Sequence, residues 1–228
     1  GGVCADARVS PPSGAVRSQA VCVRARVRGR ALGGDAPLAS REGFVPVETG
    51  ADCFIHSATK FLNGHHDVIA GAVLGTATYI EEVRQKLIVW GQAPDPFACW
   101  LLERGLKTLD IRVKRATDNA MRLALWCATR PELSAVLYPG LPDHPDHEIA
   151  RETLDGMGAM LAIVHRDGSD AMTKVCRRLK LITHAPSLGG LDTLVSEPRF
   201  SSHEHLSSAE RAAVGIPDGF LRVSVGIE

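Results

Sequence analysis

The chain has 228 residues, 26 basic against 26 acidic, with 45% apolar residues, so it can bury a real core as one large domain or two modest ones. Balanced charge argues against a nucleic-acid or polybasic-membrane partner, and no apolar run reaches transmembrane length. Six scattered cysteines (Cys4, Cys22, Cys53, Cys99, Cys127 and Cys176) with no Cys-x-x-Cys pair argue against a disulfide framework or zinc knuckle. They read as reduced thiols of a cytoplasmic enzyme.

Residues 1–34 stand apart, with Pro11-Pro12, several glycines and the alternation Val23-Arg-Ala-Arg-Val-Arg-Gly-Arg30, and with Asp6 as the only acid. No apolar periodicity defines a core face there, so the segment is expected to be poorly ordered or mis-assigned. An Arg-rich, acid-poor targeting segment, and with it a plastid or other organelle, is the alternative.

From Asp35 onward the pattern alternates between strands and helices. Cys53 to His56 reads as a buried strand and Ala70 to Leu74 as another. Thr78 is expected to cap a helix running to Trp90, with Glu81 and Glu82 in its first turn. Asp95-Pro96 opens a second helix, Pro being tolerated there. Leu106 to Ala128 carries a long helical pattern with Val113, Ala116, Ala120, Leu123, Ala124 and Cys127 on one face, stopped by Arg130-Pro131. That helix is the candidate hinge between two domains.

A turn-rich Tyr138-Pro-Gly-Leu-Pro-Asp-His-Pro145 follows, then a helix around Ile149 to Leu154, a strand over Met160 to Val164 and a helix over Ala171 to Leu179. Ser207-Ser-Ala-Glu210 is a capping box. The strand Phe220 to Ile227 closes the chain, with Leu221, Val223, Val225 and Ile227 on one face and Phe220, Arg222, Ser224 and Gly226 on the other.

The stretch Ser57-Ala-Thr-Lys60 carries the most chemistry. Lysine is scarce, six against twenty arginines, and Lys60 follows a short apolar run and two hydroxyls. If the strand end stays extended, Ser57 and Thr59 point to one side, toward a phosphate at the carboxyl edge of a sheet. A pyridoxal phosphate (PLP) site needs such a lysine for a Schiff base, phosphate donors, an acid for the pyridine nitrogen and a cation for a substrate carboxylate. A surface Ser/Thr/Lys loop is the plain alternative. Arg222, alone in an otherwise uncharged strand, suits a bidentate carboxylate grip or a salt bridge at a sheet edge. Ser187-Leu-Gly-Gly190 is a turn whose amides and hydroxyl suit a site lining. His65-His66-Asp67, His144 with His147, and His203 with His205 lack a helical His-x-x-x-His pair or thiol cluster, so they read as loop histidines rather than metal ligands.

Ser57-Ala-Thr-Lys60 with Asn63-Gly-His-His-Asp-Val-Ile-Ala-Gly71 resembles the lysine motif of the Cys/Met-metabolism (transsulfuration) family of PLP enzymes. Arg104-Gly-Leu-Lys-Thr-Leu109, Tyr138-Pro-Gly-Leu141 with His144-Pro-Asp-His147, Ser187-Leu-Gly-Gly190 and Gly215 to Glu228 match in family order. The resemblance covers residues 35–228. It implies an α/β fold, the PLP-dependent transferase (aspartate aminotransferase-like, fold type I) architecture. Residues 35–115 would be the end of the large cofactor domain and 116–228 the small C-terminal α/β domain. It implies Lys60 as the Schiff-base lysine, Ser57 and Thr59 at the phosphate, and Ser187 and Arg222 at the substrate α-carboxylate. Asp35 matches the pyridinium partner, although Asp35-Ala-Pro stands where the family has Asp-Asn-Thr and an apolar lead-in strand is missing. The family's ring-stacking aromatic, Gly/Met phosphate loop and active-site Tyr have no match in residues 1–34, and family members continue into a final helix beyond the position of Glu228. The chain therefore reads as a fragment or eroded copy.

The implied activity is γ-replacement of the cystathionine γ-synthase kind, joining a homoserine ester to cysteine in a homodimer or homotetramer. Cystathionine γ-lyase, methionine γ-lyase and homoserine-ester sulfhydrylase are the alternatives. Ala185-Pro186 before Ser187, where γ-lyases are expected to carry an acid, leans the reading toward the synthase. A catalytically silent chain serving oligomer contacts is a reading of another class, and a His-ligated metal hydrolase is the weakest.

Overall fold

The structure is a computed structural model and describes residues 25–27, 31–35 and 53–228. The described residues form two compact units, one ending at Leu109 and one running from Asp110 to Glu228. The division falls in the first turn of the helix read as the hinge. Of residues 1–34, two short stretches are described and both are strands; the remainder of that segment lies outside the described residues.

The first unit holds a four-stranded sheet in the order β1-β2-β3-β4, formed by β1 (Ala25–Val27), β2 (Ala31–Asp35), β3 (Cys53–Ser57) and β4 (Gly71–Gly75). β2 runs parallel to β3, while β1 pairs with β2 and β4 with β3 in antiparallel fashion. The strand expected to be buried is only partly so. Cys53 is buried, but Ile55 on β3 and Val73 and Leu74 on β4 are exposed.

Helix α1 (Ala77–Trp90) is capped by Thr76, not Thr78: Thr76 has the extended backbone of a cap and its hydroxyl accepts from Tyr79 N. Thr78 lies inside the first turn, and Glu81 and Glu82 fall beyond it, so no acid meets the helix start. Gly91 ends α1 in the left-handed region at φ 68°, where glycine carries no Cβ penalty. Helix α2 (Pro96–Leu106) begins as its sequence requires, with the Asp95 carboxylate accepting from Phe97 N at 2.9 Å and Ala98 N at 3.1 Å.

Helix α3 (Leu109–Ala128) carries the second unit's buried stripe, Val113, Ala116, Ala120, Ala124 and Cys127, at the spacing read from the sequence. Small alanines bring the helix backbone close to the core. The unit's sheet has five strands in the order β5-β6-β9-β8-β7. They are β5 (Leu133–Leu137), β6 (Met160–His165), β7 (Thr183–His184), β8 (Leu194–Ser196) and β9 (Phe220–Ser224). Only β6 and β9 are expected from the sequence, because β7 and β8 have two and three residues and β5 lacks a clean alternation. β9 sits between β6 and β8 and bonds antiparallel to both. It stops at Ser224, earlier than expected, yet Val225 and Ile227 still donate to Ala159 O and Leu191 O.

Around the sheet lie α4 (His147–Thr153), α5 (Gly168–Cys176) and α6 (Ser208–Ala213), the last closed by the complete Ser207–Glu210 capping box. α4 and α5 begin two and three residues before their expected starts. Ala120, Ala124, Tyr138, Leu161, Met172, Leu221, Val223 and Val225 form one core. Tyr138 is fully buried, and its hydroxyl donates to Gly158 O at 2.9 Å. Burial, reinforced by the negative charge of Asp118, pushes that phenol far above its usual range. Tyr138→Phe removes the donor to the half-buried Gly158 carbonyl and is expected to cost about 1 kcal/mol in urea unfolding, with little change in the slope.

Candidate functional site

At the lysine, the sequence expectation of an extended strand end is corrected. β3 stops at Ser57, and the chain turns: Lys60 N donates to Ser57 O, Asn63 N to Ala58 O, and Gly64 N to Lys60 O at 2.8–3.0 Å. Ser57 therefore ends the strand while Thr59 already belongs to the turn, so strand alternation does not align their hydroxyls. The turn wins because local backbone bonding satisfies groups that an unpaired extended segment would leave open.

Thr59 has a second engagement. Its Oγ1 accepts from Ala70 N at 3.0 Å and lies 3.3 Å from Ala70 O, while Thr59 N donates to Ala70 O at 3.1 Å. The residue thus ties the lysine turn to the entry of β4. Its hydroxyl donates that 3.3 Å hydrogen bond to Ala70 O.

The turn has a packed underside in Ala58, Phe61, Asn63 and Val68, all buried, whereas Lys60 itself is half-buried. Asn63 is wholly buried, donates through Nδ2 to Asp67 Oδ1 at 2.7 Å, and has no partner for Oδ1 among the described residues. Gly105 of α2 lies against the same residue: a Cβ there would stand 2.3 Å from Asn63 O. The glycine of Arg104-Gly-Leu-Lys-Thr thus lets α2 support the lysine turn. Asn63, Asp67 and Gly105 are not picked out as functional by spacing, because their role exists only once the helix meets the turn.

Asp35 ends β2, and its backbone stands in register with Ile55 of β3, two residues before Ser57. Two parallel strands thereby deliver Asp35 and the lysine turn to the same carboxyl edge of the sheet, where open α/β sheets take ligands.

In the second unit, Arg222 lies on the central strand, and among the described residues no carboxylate is ion-paired to it. That removes the edge salt-bridge reading. Arg222 Nη2 instead donates to Pro186 O at 2.7 Å and to Ser187 O at 3.2 Å. Burial lowers its pKa from the ordinary guanidinium value, the mark of a partly desolvated cation with neutral acceptors. The loop that supplies those carbonyls is anchored by buried Ser224, whose Oγ accepts from Gly189 N at 2.9 Å. Ser224 shares a strand face with Arg222, a signal visible in the sequence alternation.

The histidines have local partners. His144 Nδ1 accepts from Asp146 N at 3.1 Å, and His147 Nδ1 lies 2.7 Å from Pro139 O. Burial lowers the His144 pKa, opposed by Asp146 and aided by His147. Among the described residues no group of three His, Cys, Asp or Glu is placed to hold a metal. The residues of the first unit fit PLP: an amine on a supported turn beside two hydroxyls, and an acid at the same sheet edge. Gly105→Ala forces the added methyl against the Asn63 backbone and is expected to cost about 1–3 kcal/mol, read as a lower urea midpoint.

Comparison with known proteins places the chain. A sequence model of the Cys/Met metabolism PLP-dependent enzymes matches residues 18–228, reaching into the Arg-rich segment. A cystathionine β-lyase of Coxiella burnetii is 43% identical over 185 residues, covering 80% of this chain and 48% of that protein. An L-methionine γ-lyase of Porphyromonas gingivalis is 42% identical over 185 residues, covering 80% and 46%, and a cystathionine γ-synthase of Mycobacterium leprae is 41% identical over 187 residues, covering 80% and 47%. The chain thus spans about half the length of the curated relatives it matches. Among solved structures, cystathionine γ-synthase from Xanthomonas oryzae in complex with aminoacrylate and cysteine superposes with a TM-score of 0.82 at 35% identity, over 88% of this chain and 52% of that one. Cystathionine γ-lyase from Micromonospora echinospora gives 0.83 at 36% identity, over 88% and 53%. The architecture is fold type I, and the chain belongs to the Cys/Met-metabolism family of PLP-dependent enzymes.

Proposed function

We propose that this chain carries part of the active site of a transsulfuration enzyme performing γ-replacement, forming cystathionine from an O-acylhomoserine and cysteine. Lys60 on its supported turn, at the carboxyl edge of the parallel strands that also present Asp35, is the observation that carries the enzymatic reading. PLP, when bound, supplies the electron sink for charge left at the substrate Cα. Ser57 and Thr59 would hold its phosphate, and Asp35 would favour the protonated pyridine nitrogen. Lys60 would anchor the cofactor, and as a free amine it would take and return the proton at the substrate Cα. Arg222 grips the substrate α-carboxylate, with Ser187 beside it.

Relatives of comparable identity include synthases and lyases, so the choice among reactions rests on the chain's own residues. Pro186 offers Arg222 only a carbonyl, where an acidic side chain would neutralise the guanidinium. This supports γ-replacement over the γ-lyase and methionine γ-lyase alternatives. Assembly as a homodimer or homotetramer is consistent with the exposed Ile88, Val89 and Trp90 of α1 and the stacked, exposed Phe97 and Trp100 of α2.

Purified protein given PLP is expected to show a visible absorption band that borohydride fixes onto Lys60 and that Lys60→Ala abolishes. Absence of the band in the wild-type chain would overturn the competent-site reading. Cystathionine formation from a homoserine ester plus cysteine should exceed 2-oxobutanoate release from cystathionine; the reverse ranking assigns a lyase. Arg222→Ala is expected to raise KM for the amino-acid substrate roughly 10- to 100-fold, the loss of a charge-assisted hydrogen-bond pair.

A further inference from the structure

A carboxylate buried on the opposite face of the second unit's sheet is unused by the chemistry above. Glu197 follows β8 directly and is 3% exposed. Its two carboxylate oxygens lie 3.1 and 2.9 Å from Thr173 Oγ1 of α5, and Arg199 Nε donates to it at 3.3 Å. Arg199 Nη2 also donates to Thr173 Oγ1 at 2.8 Å, closing a three-residue ring of hydrogen bonds, and His184 Nε2 of β7 lies 4.0 Å from Glu197. The Cys176 thiol, on the same helix as Thr173, feels the charge: burial first and Glu197 second push its pKa up to about 11. A buried anion is costly unless paired, so this cluster has a strong geometric preference.

Register shows what the preference acts on. β7 and β8 are parallel with His184 opposite Val195, and Val195 lies opposite Val223 of β9. His184, Val195 and Val223 therefore share the face covered by α5, and Glu197 continues it. Ser196 lies opposite Arg222, which puts the guanidinium on the other face. The chain leaves β7 after His184 and within three residues supplies both carbonyls that hold Arg222. Ala185 N, bonded to Val195 O at 3.0 Å, and Gly189 N, bonded to Ser224 Oγ, pin the two ends of that loop.

We propose that Glu197, hydrogen-bonded to Thr173 and Arg199 and 4.0 Å from His184 of β7, is a positioning residue that sets the 185–187 loop through β7 and so fixes the guanidinium of Arg222 on the opposite face. Its relevance to substrate recognition rests on the reading that Arg222 takes the carboxylate; the positioning itself does not. Glu197 touches no substrate and acts only through β7 and the loop.

The test uses the full chain without added ligand. Nitrogen-15 spectra of the arginine side chains report whether rotation about the Arg222 Cζ–Nη bonds is slowed, with Arg222→Lys identifying the signal by its loss. Wild type is expected to give resolved, slowly rotating Nη signals. In Glu197→Gln these should merge, and amide hydrogen exchange at Ala185 and Gly189 should quicken about tenfold. His184→Asn, at a half-exposed edge position, should give a smaller change of the same kind and guards against failure of Glu197→Gln to fold. Unchanged Arg222 signals in a folded Glu197→Gln or His184→Asn protein would overturn the proposal. If the signals respond but Arg222→Ala leaves KM for the amino-acid substrate unchanged, the positioning stands and the carboxylate reading falls.

Discussion

A guanidinium on the central strand of a sheet has lost much of its water and must be given acceptors without being neutralised. The second unit is arranged around that constraint. Backbone carbonyls of Pro186 and Ser187 meet the need, because a carbonyl stabilises the cation while leaving its charge available. A carboxylate in that position would hold Arg222 more tightly and leave it less able to receive an anionic ligand. The carbonyls can serve only if their loop is fixed, which brings Ser224 on one face and Glu197 on the other into the same account.

The lysine end meets the converse requirement. An amine that must exchange partners has to be presented by backbone that does not move with it. The turn after β3 meets this by internal hydrogen bonds, by the Thr59 link to Ala70, and by an apolar underside on which α2 rests through Gly105. The Thr59 hydroxyl closes the turn in both directions, accepting from Ala70 N and donating to Ala70 O. Each unit thus holds a candidate site residue on backbone stabilised by its own hydrogen bonds.

The candidate positions of the site are legible in residue order. Scarcity of lysine, the two hydroxyls around Lys60, and the lone Arg222 in an apolar strand singled out their positions. Helix α2 was readable from Asp95-Pro96, and the buried face of α3 from its period, because both depend on local spacing. Composition reads Thr78 as the cap where Thr76 takes that place, because either threonine satisfies the composition and only the backbone angles separate a cap from a first-turn residue. The turn at Ala58 is not legible because Ser57, Ala58 and Thr59 suit a strand end as well as a turn.

By itself the sequence determined the family motifs, the helical stripes, the capping box at Ser207 and the alternation that puts Arg222 and Ser224 on one side of a strand. These follow from local geometry, in which spacing alone decides which side chains share a face. Tertiary structure alone decided that the last strand is central rather than an edge, that Arg222 is held by carbonyls rather than an acid, and that Glu197 lies buried behind the loop it braces. Those outcomes depend on contacts between segments far apart in the chain, where burial, not spacing, determines which polar groups must be paired.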